Sequence, residues 1–368
     1  MIFEYSKWDA TRAAFQQRLD ELMKLFRWLL NRAAGDADTA LDWLDHLAEK
    51  YGLWGDGIDR DEFEKQLRET GEVERDAAGS HSLTHKGERA MRSVALKDLF
   101  GELRKSGGPG EHRARHTGSG GEPEPFVKPY TFGDDLWSIA VTPTITNAVR
   151  RSFERGEDDM TIQEEDLMVH ETQDNTQCAT ALLVDCSHSM VLYGEDRMSP
   201  ARSVTMGLVE MIQTRFPRDR LHVIAFGDDA VEVPLAKVPY LSWGPYHTNT
   251  KAALEMAREL LTRSRCPNRQ VFMITDGKPT VLDEGGHRYI DAGWLNPRII
   301  NRTLDEAGQC RRKGISITTF MMTDDPVLTK FVEQLTEINQ GRAYYTGTGK
   351  LGQFLMVDYL QNRKRNVR

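Results

Sequence analysis

Sulfur is scarce in this chain: 368 residues carry four cysteines, Cys178, Cys186, Cys266 and Cys310. None sits in a C-x-x-C pair, so a zinc knuckle is set aside. Cys178 and Cys186 lie in or beside an apolar run and are expected as packed thiols rather than bridges, which suits a reducing compartment and a cytoplasmic protein. Long apolar runs are missing too, so no segment is expected to cross a bilayer. The opening MIFEYSKWDATRAAF has no basic start followed by an apolar stretch and does not read as a signal peptide. Positive charge is not in excess: the formal net charge is -8, a poor starting point for binding nucleic acid or a membrane surface. Two nucleophile or phosphate motifs are absent. The nearest approach to G-x-x-x-x-G-K-[ST] ends Gly349-Lys350-Leu351 and has Tyr344 where glycine is needed; no G-x-S-x-G occurs. No repeat of fixed period is visible, which excludes a solenoid.

What is present reads as a soluble globular chain of about two domains, with 39% hydrophobic and 28% charged residues. Phe15, Leu19, Leu22, Met23, Phe26, Leu29 and Leu30 recur at helical spacing and predict a helix over 7–33. Leu41, Leu44, Leu47 and Tyr51 mark a second helix ending at Gly52, and 59–70 a third ending at Gly71. Asp56, Asp59 and Asp61 fail the EF-hand spacing. Ser82–Phe100 reads as an extended piece, a turn near Gly87 and a further helix. That order resembles the wing region of winged-helix modules and fits a small helical bundle as well. Residues 106–125, SGGPGEHRARHTGSGGEPEP, cannot bury enough apolar surface to order themselves and are expected as a flexible linker. The expected organisation is a separate, mainly helical N-terminal domain over 1–105, the linker over 106–125, a lead-in over 126–175 packed on the next domain, and a last domain over 176–368. Within the lead-in, a helix is expected from about Ile145 and a strand over 166–172.

From residue 176 short apolar runs alternate with helical patterns. Strands are expected at 179–184, 221–226, 270–275, 315–322 and 343–346, with an edge strand over 231–238. Helices are expected at about 200–215, 250–263, 298–313 and 326–339, with another from near Lys350. Such alternation predicts an α/β fold: a Rossmann-like, doubly wound, mostly parallel sheet covered on both faces.

In an open parallel sheet, ligands sit at the carboxyl ends of strands. There the sequence places Asp185-Cys186-Ser187-His188-Ser189, then Tyr246-His247-Thr248-Asn249-Thr250 before a helix, then Thr275-Asp276-Gly277. Two carboxylates with several hydroxyls form a hard oxygen donor set that suits Mg²⁺. Simpler roles stand beside this one: strand-end turns for the aspartates and helix capping for Ser187 and Ser189. His188 and His247 are expected to be structural. Trp243, Tyr344 and Tyr345 are expected to pack, and the basic end Arg363, Lys364, Arg365 and Arg368 suits a helix C-terminus.

Asp185-x-Ser187-x-Ser189, Thr248 and Asp276, in that order over about residues 176–362, resemble the metal-ion-dependent adhesion site (MIDAS) of von Willebrand factor A (VWA) domains. The resemblance implies that Ser187 and Ser189 ligate one Mg²⁺, or Mn²⁺ in its place. It implies that Thr248 joins in the ligand-bound state, that Asp185 and Asp276 act through water, and that a partner's carboxylate completes the shell. Many members place glycine before the threonine where this chain has Tyr246-His247, and Thr250 is the second candidate. Stretches such as TQDNTQCATALLVDCSHSM and FMITDGKPT look like the branch that includes the MoxR-type systems and the D subunit of magnesium chelatase. That implies a non-catalytic adaptor for an AAA+ ATPase, its client, or both. The competing readings are a Mg²⁺-dependent phosphohydrolase and an RNA-binding protein with a VWA domain. Haloacid-dehalogenase-type phosphatases carry D-x-D, and Ser187 removes the general acid that such chemistry needs.

Overall fold

Three runs rich in apolar residues set the centre of the molecule. β5 (Cys178–Asp185) is buried at every position, and β8 (Asn268–Thr275) and β11 (Ile315–Met321) at nearly every one. A strand covered on both faces has no use for alternation, so such runs are what a parallel sheet between helices requires. The computed structural model describes residues 10–363 except 56, 77–78, 106–122, 131–138, 156–160, 173–176, 245–246, 292–295, 324 and 348. The described residues form two compact units. Among them the first comprises residues in 10–105, 178–265 and 269–358; the second comprises residues in 123–177, 266–268 and 359–363.

The first unit opens with α1 (Ala10–Arg32), α2 (Ala37–Tyr51), α3 (Arg60–Thr70), a ribbon of β1 (Val73–Arg75) and β2 (His81–Leu83), and α4 (His85–Lys105). Asp36 caps α2 by accepting the Thr39 amide, and Asp59 caps α3 by accepting the Glu62 amide. Asp59 therefore has a local task at the start of α3. The extended step is the second strand of the ribbon, pairing Leu83 with Val73. Gly87, expected in a turn, lies in the first turn of α4.

Helices and strands then alternate. α6 (Met198–Arg215) follows β5, and β6 (Arg220–Phe226) leads to β7 (Ala230–Val233). α7 (Thr250–Arg263) precedes β8, which is followed by a hairpin of β9 (Val281–Glu284) and β10 (His287–Ile290). α8 (Pro297–Arg312), β11, α9 (Pro326–Asn339), β12 (Arg342–Tyr345) and α10 (Leu351–Arg363) complete the order. The central sheet runs β12-β11-β8-β5-β6-β7. The β5–β6, β8–β11 and β11–β12 pairs are parallel and β6–β7 is antiparallel. The α/β, mostly parallel architecture expected from the alternation is the one observed. The strand expected over 231–238 stops at Val233, because Pro234 has no amide hydrogen for the ladder, and Leu235–Tyr240 turns as a 3-10 helix. The β9–β10 hairpin was not expected. Its turn is Gly285-Gly286 with φ of 60° and 78°, a pair only glycine adopts readily.

The N-terminal helices, expected as a separate domain, share the first unit with the sheet. α6 is buried almost all round, from Val204 to Ile212, since it faces both the sheet and α4. Glu88, Met91, Ala95 and Leu99 form the buried stripe of α4. Leu99 reaches α6 at Gly207 and α10 at Gly352, where a Cβ on either glycine would overlap its side chain. Arg92 approaches the buried Glu210 at 3.5 Å. The fully buried Arg202 donates to the backbone carbonyls of Asn31 and Leu241, joining the end of α1 to the loop after the 3-10 turn. Burial pulls its pKa down to about 10, outweighing the opposing charge of Asp196. The stripe on α4 is legible in sequence, whereas the glycines that let it approach α6 and α10 lie far along the chain.

The second unit pairs β3 (Pro123–Pro129) with β4 (Met168–Thr172) beside α5 (Val141–Arg155). β3 begins inside the stretch expected as linker; residues 106–122 of that stretch lie outside the described residues. The helix expected from Ile145 starts one turn earlier, at Val141. Arg151 and Asp166, both buried, form an ion pair at 3.1 Å. The four cysteines are buried and unbridged. No described helix is long and apolar enough to cross a membrane.

Candidate metal centre

The sheet order places a topological switch between β5 and β8, since the chain leaves β5 for β6 on one side and returns at β8 on the other. Asp185 is the last residue of β5, and Asp276 follows the last residue of β8. Both carboxylates are therefore carried to one edge by strands that packing holds rigidly. Asp185 is fully buried. Its Oδ1 accepts the Ser187 amide at 2.9 Å and its Oδ2 accepts the Thr275 hydroxyl at 2.6 Å. Burial, and then the charge of Asp276, push its pKa well above the usual carboxylate range.

Ser187 is buried, and its hydroxyl lies 2.9 Å from that of Ser189, which donates to Asp276 Oδ1 at 2.7 Å. Ser187 stands at the start of the 3-10 turn His188–Gly194 but makes no side-chain capping bond. Capping therefore does not account for its hydroxyl. Thr248 arrives from a third segment. Its amide donates to Thr280 Oγ1 at 2.9 Å, and its carbonyl accepts the Thr280 amide at 2.9 Å. Gly277 shows how closely these groups converge. A Cβ built there would stand 3.1 Å from Ser189 Oγ, 3.1 Å from Thr248 Oγ1 and 3.4 Å from Asp185 Oδ2. Oxygens of two chain segments, 185–189 and Thr248, thus border one small space beside a third, left open because position 277 has no side chain.

Residues 178–360 match the family model described as "Rv0959-like protein, vWA domain", and 122–172 match "Rv0959-like protein, third domain". The chain is a VWA-domain protein. Over 354 residues it is 35% identical to the uncharacterized protein Rv0959 of Mycobacterium tuberculosis, covering 94% of this chain and 52% of that protein. The chain thus spans about half the length of the curated relatives it matches. Among solved structures, the vWF domain of the type V pili tip protein Mfa5 from Porphyromonas gingivalis is 13% identical with a TM-score of 0.42, covering 53% of this chain and 98% of that one. The SpRpn10 VWA domain is 10% identical with a TM-score of 0.37, covering 52% and 100%.

In this VWA domain the structure brings together all five residues singled out from sequence: Asp185, Ser187, Ser189, Thr248 and Asp276. The Thr248 hydroxyl borders the Gly277 space, and Thr250 is the first residue of α7. His247 lies 2.9 Å from Asp228, and His188 packs against Trp243 with centroids 5.4 Å apart. Tyr344 stacks between Phe320 and Phe354 and donates to Asp358 at 2.9 Å.

Sequence reasoning missed three participants. Thr275 orients Asp185, and Thr280 fixes Thr248. Arg197 donates to Asp276 Oδ2 at 2.7 Å and pairs with Glu195 at 2.9 Å. Burial opposes the charge on Arg197, but the two carboxylates outweigh it and hold the guanidinium protonated more firmly than usual. The hydroxyls beside aspartate at the strand end were a visible signal for Thr275. Arg197 had none, being 79 positions from its partner.

The residues fit a hard divalent cation: the donors are oxygens, and the space they border is one that a methyl would fill. Among the described residues no three His, Cys, Asp or Glu side chains converge as ligands, so a cation here would rest on carboxylates together with hydroxyls.

Proposed function

We propose that the VWA domain is a Mg²⁺-dependent protein-binding module, an adaptor that takes a carboxylate from its partner. The observation that carries this is the convergence of the hydroxyls of Ser187, Ser189 and Thr248 with two carboxylates at the switch point of a rigid sheet. Ser187, Ser189 and Thr248 would hold the ion, and Asp185 and Asp276 would orient its shell. Bound there, the ion supplies a Lewis-acidic position with exchangeable water. Neutral hydroxyl donors leave it electropositive, which favours an incoming Asp or Glu. Mn²⁺ would substitute, having the same preference for oxygen.

The partner class proposed is an AAA+ ATPase or its client, supported by the resemblance of the sequence to that branch of the VWA proteins. Calorimetry on the full chain tests the ion: wild type should bind one Mg²⁺, and Ser187→Ala and Thr248→Ala should weaken it at least about tenfold with unchanged melting. Retention of partners from the native host, with and without EDTA, tests the docking. An ATPase held equally in both would show that the ion is not the contact.

A further inference from the structure

The loop that carries Arg197 also walls a cleft. About 390 Å³ opens beside α1 and α2, bordered by Trp28, Arg32, Trp43, His46, Leu47 and Asp196. Trp28 is 51% exposed and Trp43 43%. On their opposite sides the same two helices bury Leu30, Leu41 and Leu44, so the indoles are not spare core residues that lack a core. Leaving a large aromatic ring half in water forgoes on the order of 1 kcal/mol or more of burial. Two of them line one concavity. The Arg32 guanidinium lies over the Trp28 ring, 4.4 Å from its centroid, and sets a positive charge at the rim.

Asp196 links this cleft to the candidate metal centre. Its carboxylate accepts the Ser199 amide at 2.9 Å at the start of α6, which fixes the loop. The next residue, Arg197, holds Asp276. A single peptide bond thus connects the wall of the cleft to the group that binds the metal-site carboxylate. Tryptophan and arginine in a concave, partly desolvated setting are the residue types that dominate interface energetics.

We propose that the cleft is the second contact of the partner whose carboxylate goes to the cation. An apolar or aromatic side chain on the same stretch of that partner inserts between Trp28 and Trp43. The occupant is an acidic peptide segment of another protein, because Arg32 at the rim and a cation at the neighbouring centre both favour negative charge. The proposal rests on the cation-dependent binding put forward above, and it adds an apolar anchor that the metal site alone does not require.

Selection of a phage-displayed library of random short peptides on the full chain in Mg²⁺ tests this. The expected binders combine Asp or Glu with Trp, Phe or Leu. A synthetic copy of a selected peptide should lose about tenfold or more in affinity on adding EDTA, and again in Trp28→Ala and in Trp43→Ala. Both indoles are half in solvent, so unchanged circular-dichroism melting should confirm that the variants fold. EDTA-sensitive binding indifferent to both tryptophan variants would overturn the cleft and leave the metal reading standing. Binding that needs the tryptophans but ignores EDTA would overturn both the shared partner and the metal reading. Failure to obtain any EDTA-sensitive binder would do the same.

Discussion

Arg197 donates to Asp276 Oδ2 at 2.7 Å and so lays a fixed positive charge on the carboxylate at the end of β8. A divalent cation beside Asp276 would be repelled by that charge and would compete with it for the same oxygens. The Coulomb cost between charges a few ångströms apart is several kcal/mol even at an effective dielectric of about 20, reduced here because Arg197 can turn toward Glu195. Arg197→Gln should therefore raise Mg²⁺ affinity, by about tenfold for 1.4 kcal/mol. Calorimetry against wild type reads the change. A fall in affinity would show instead that Arg197 holds Asp276 in its ligating position.

Asp185 should give the metal-free protein a measurable pH slope. Its pKa is raised by burial and then by Asp276, so between the ordinary carboxylate value, roughly pH 4, and the raised value the folded state binds more protons than the unfolded one. Stability then falls as pH rises through that window. Asp185→Asn keeps an acceptor for the Ser187 amide and a partner for Thr275 while removing the ionisation. The variant should melt higher than wild type near neutral pH without metal and show a flatter profile. With Mg²⁺ the wild type should gain stability by mass action and the variant should not.

Gly277 separates fold from function. A methyl there would lie 3.1 Å from both Ser189 Oγ and Thr248 Oγ1, tighter than ordinary contact. Gly277→Ala should abolish detectable Mg²⁺ binding while shifting stability by no more than about 1–3 kcal/mol, the usual cost of a slight overpacking. Binding as tight as wild type would mean that the ion does not use this space.

The joint between α4 and α6 should behave as a coupled pair. Gly207→Ala gains about 1 kcal/mol of helix propensity, but the new methyl would overlap Leu99, so the net effect should be a loss of about 1–3 kcal/mol. Leu99→Ala alone should cost about 2–5 kcal/mol through its cavity. In the double variant the methyl enters space that Leu99 has vacated, and the total should fall short of the sum by at least about 1 kcal/mol. Strict additivity in urea unfolding would separate the two residues.

Much of the sheet was legible because β5, β8 and β11 are buried on both faces, and burial on both faces writes short stretches rich in apolar residues with no polar face. The β9–β10 hairpin was not seen although Gly285-Gly286 announces a tight turn, because its flanks Val281–Glu284 and His287–Ile290 are short and only half apolar. The end of β7 was misplaced because alternation continues past Val233 while Pro234 removes the hydrogen bond that a strand needs.

By itself the sequence determined what depends on neighbours along the chain: which runs must be buried, where helices end at Gly52 and Gly71, and that Asp185, Ser187 and Ser189 share one loop at a strand end. Only the tertiary structure decided what depends on segments meeting. It fastened Thr248 to Thr280 beside the space over Gly277, brought Arg197 to Asp276 and set Leu99 against Gly207. Those contacts join positions tens to more than a hundred residues apart, and residue spacing along a chain carries no information about them until packing of the sheet and helices closes the distance.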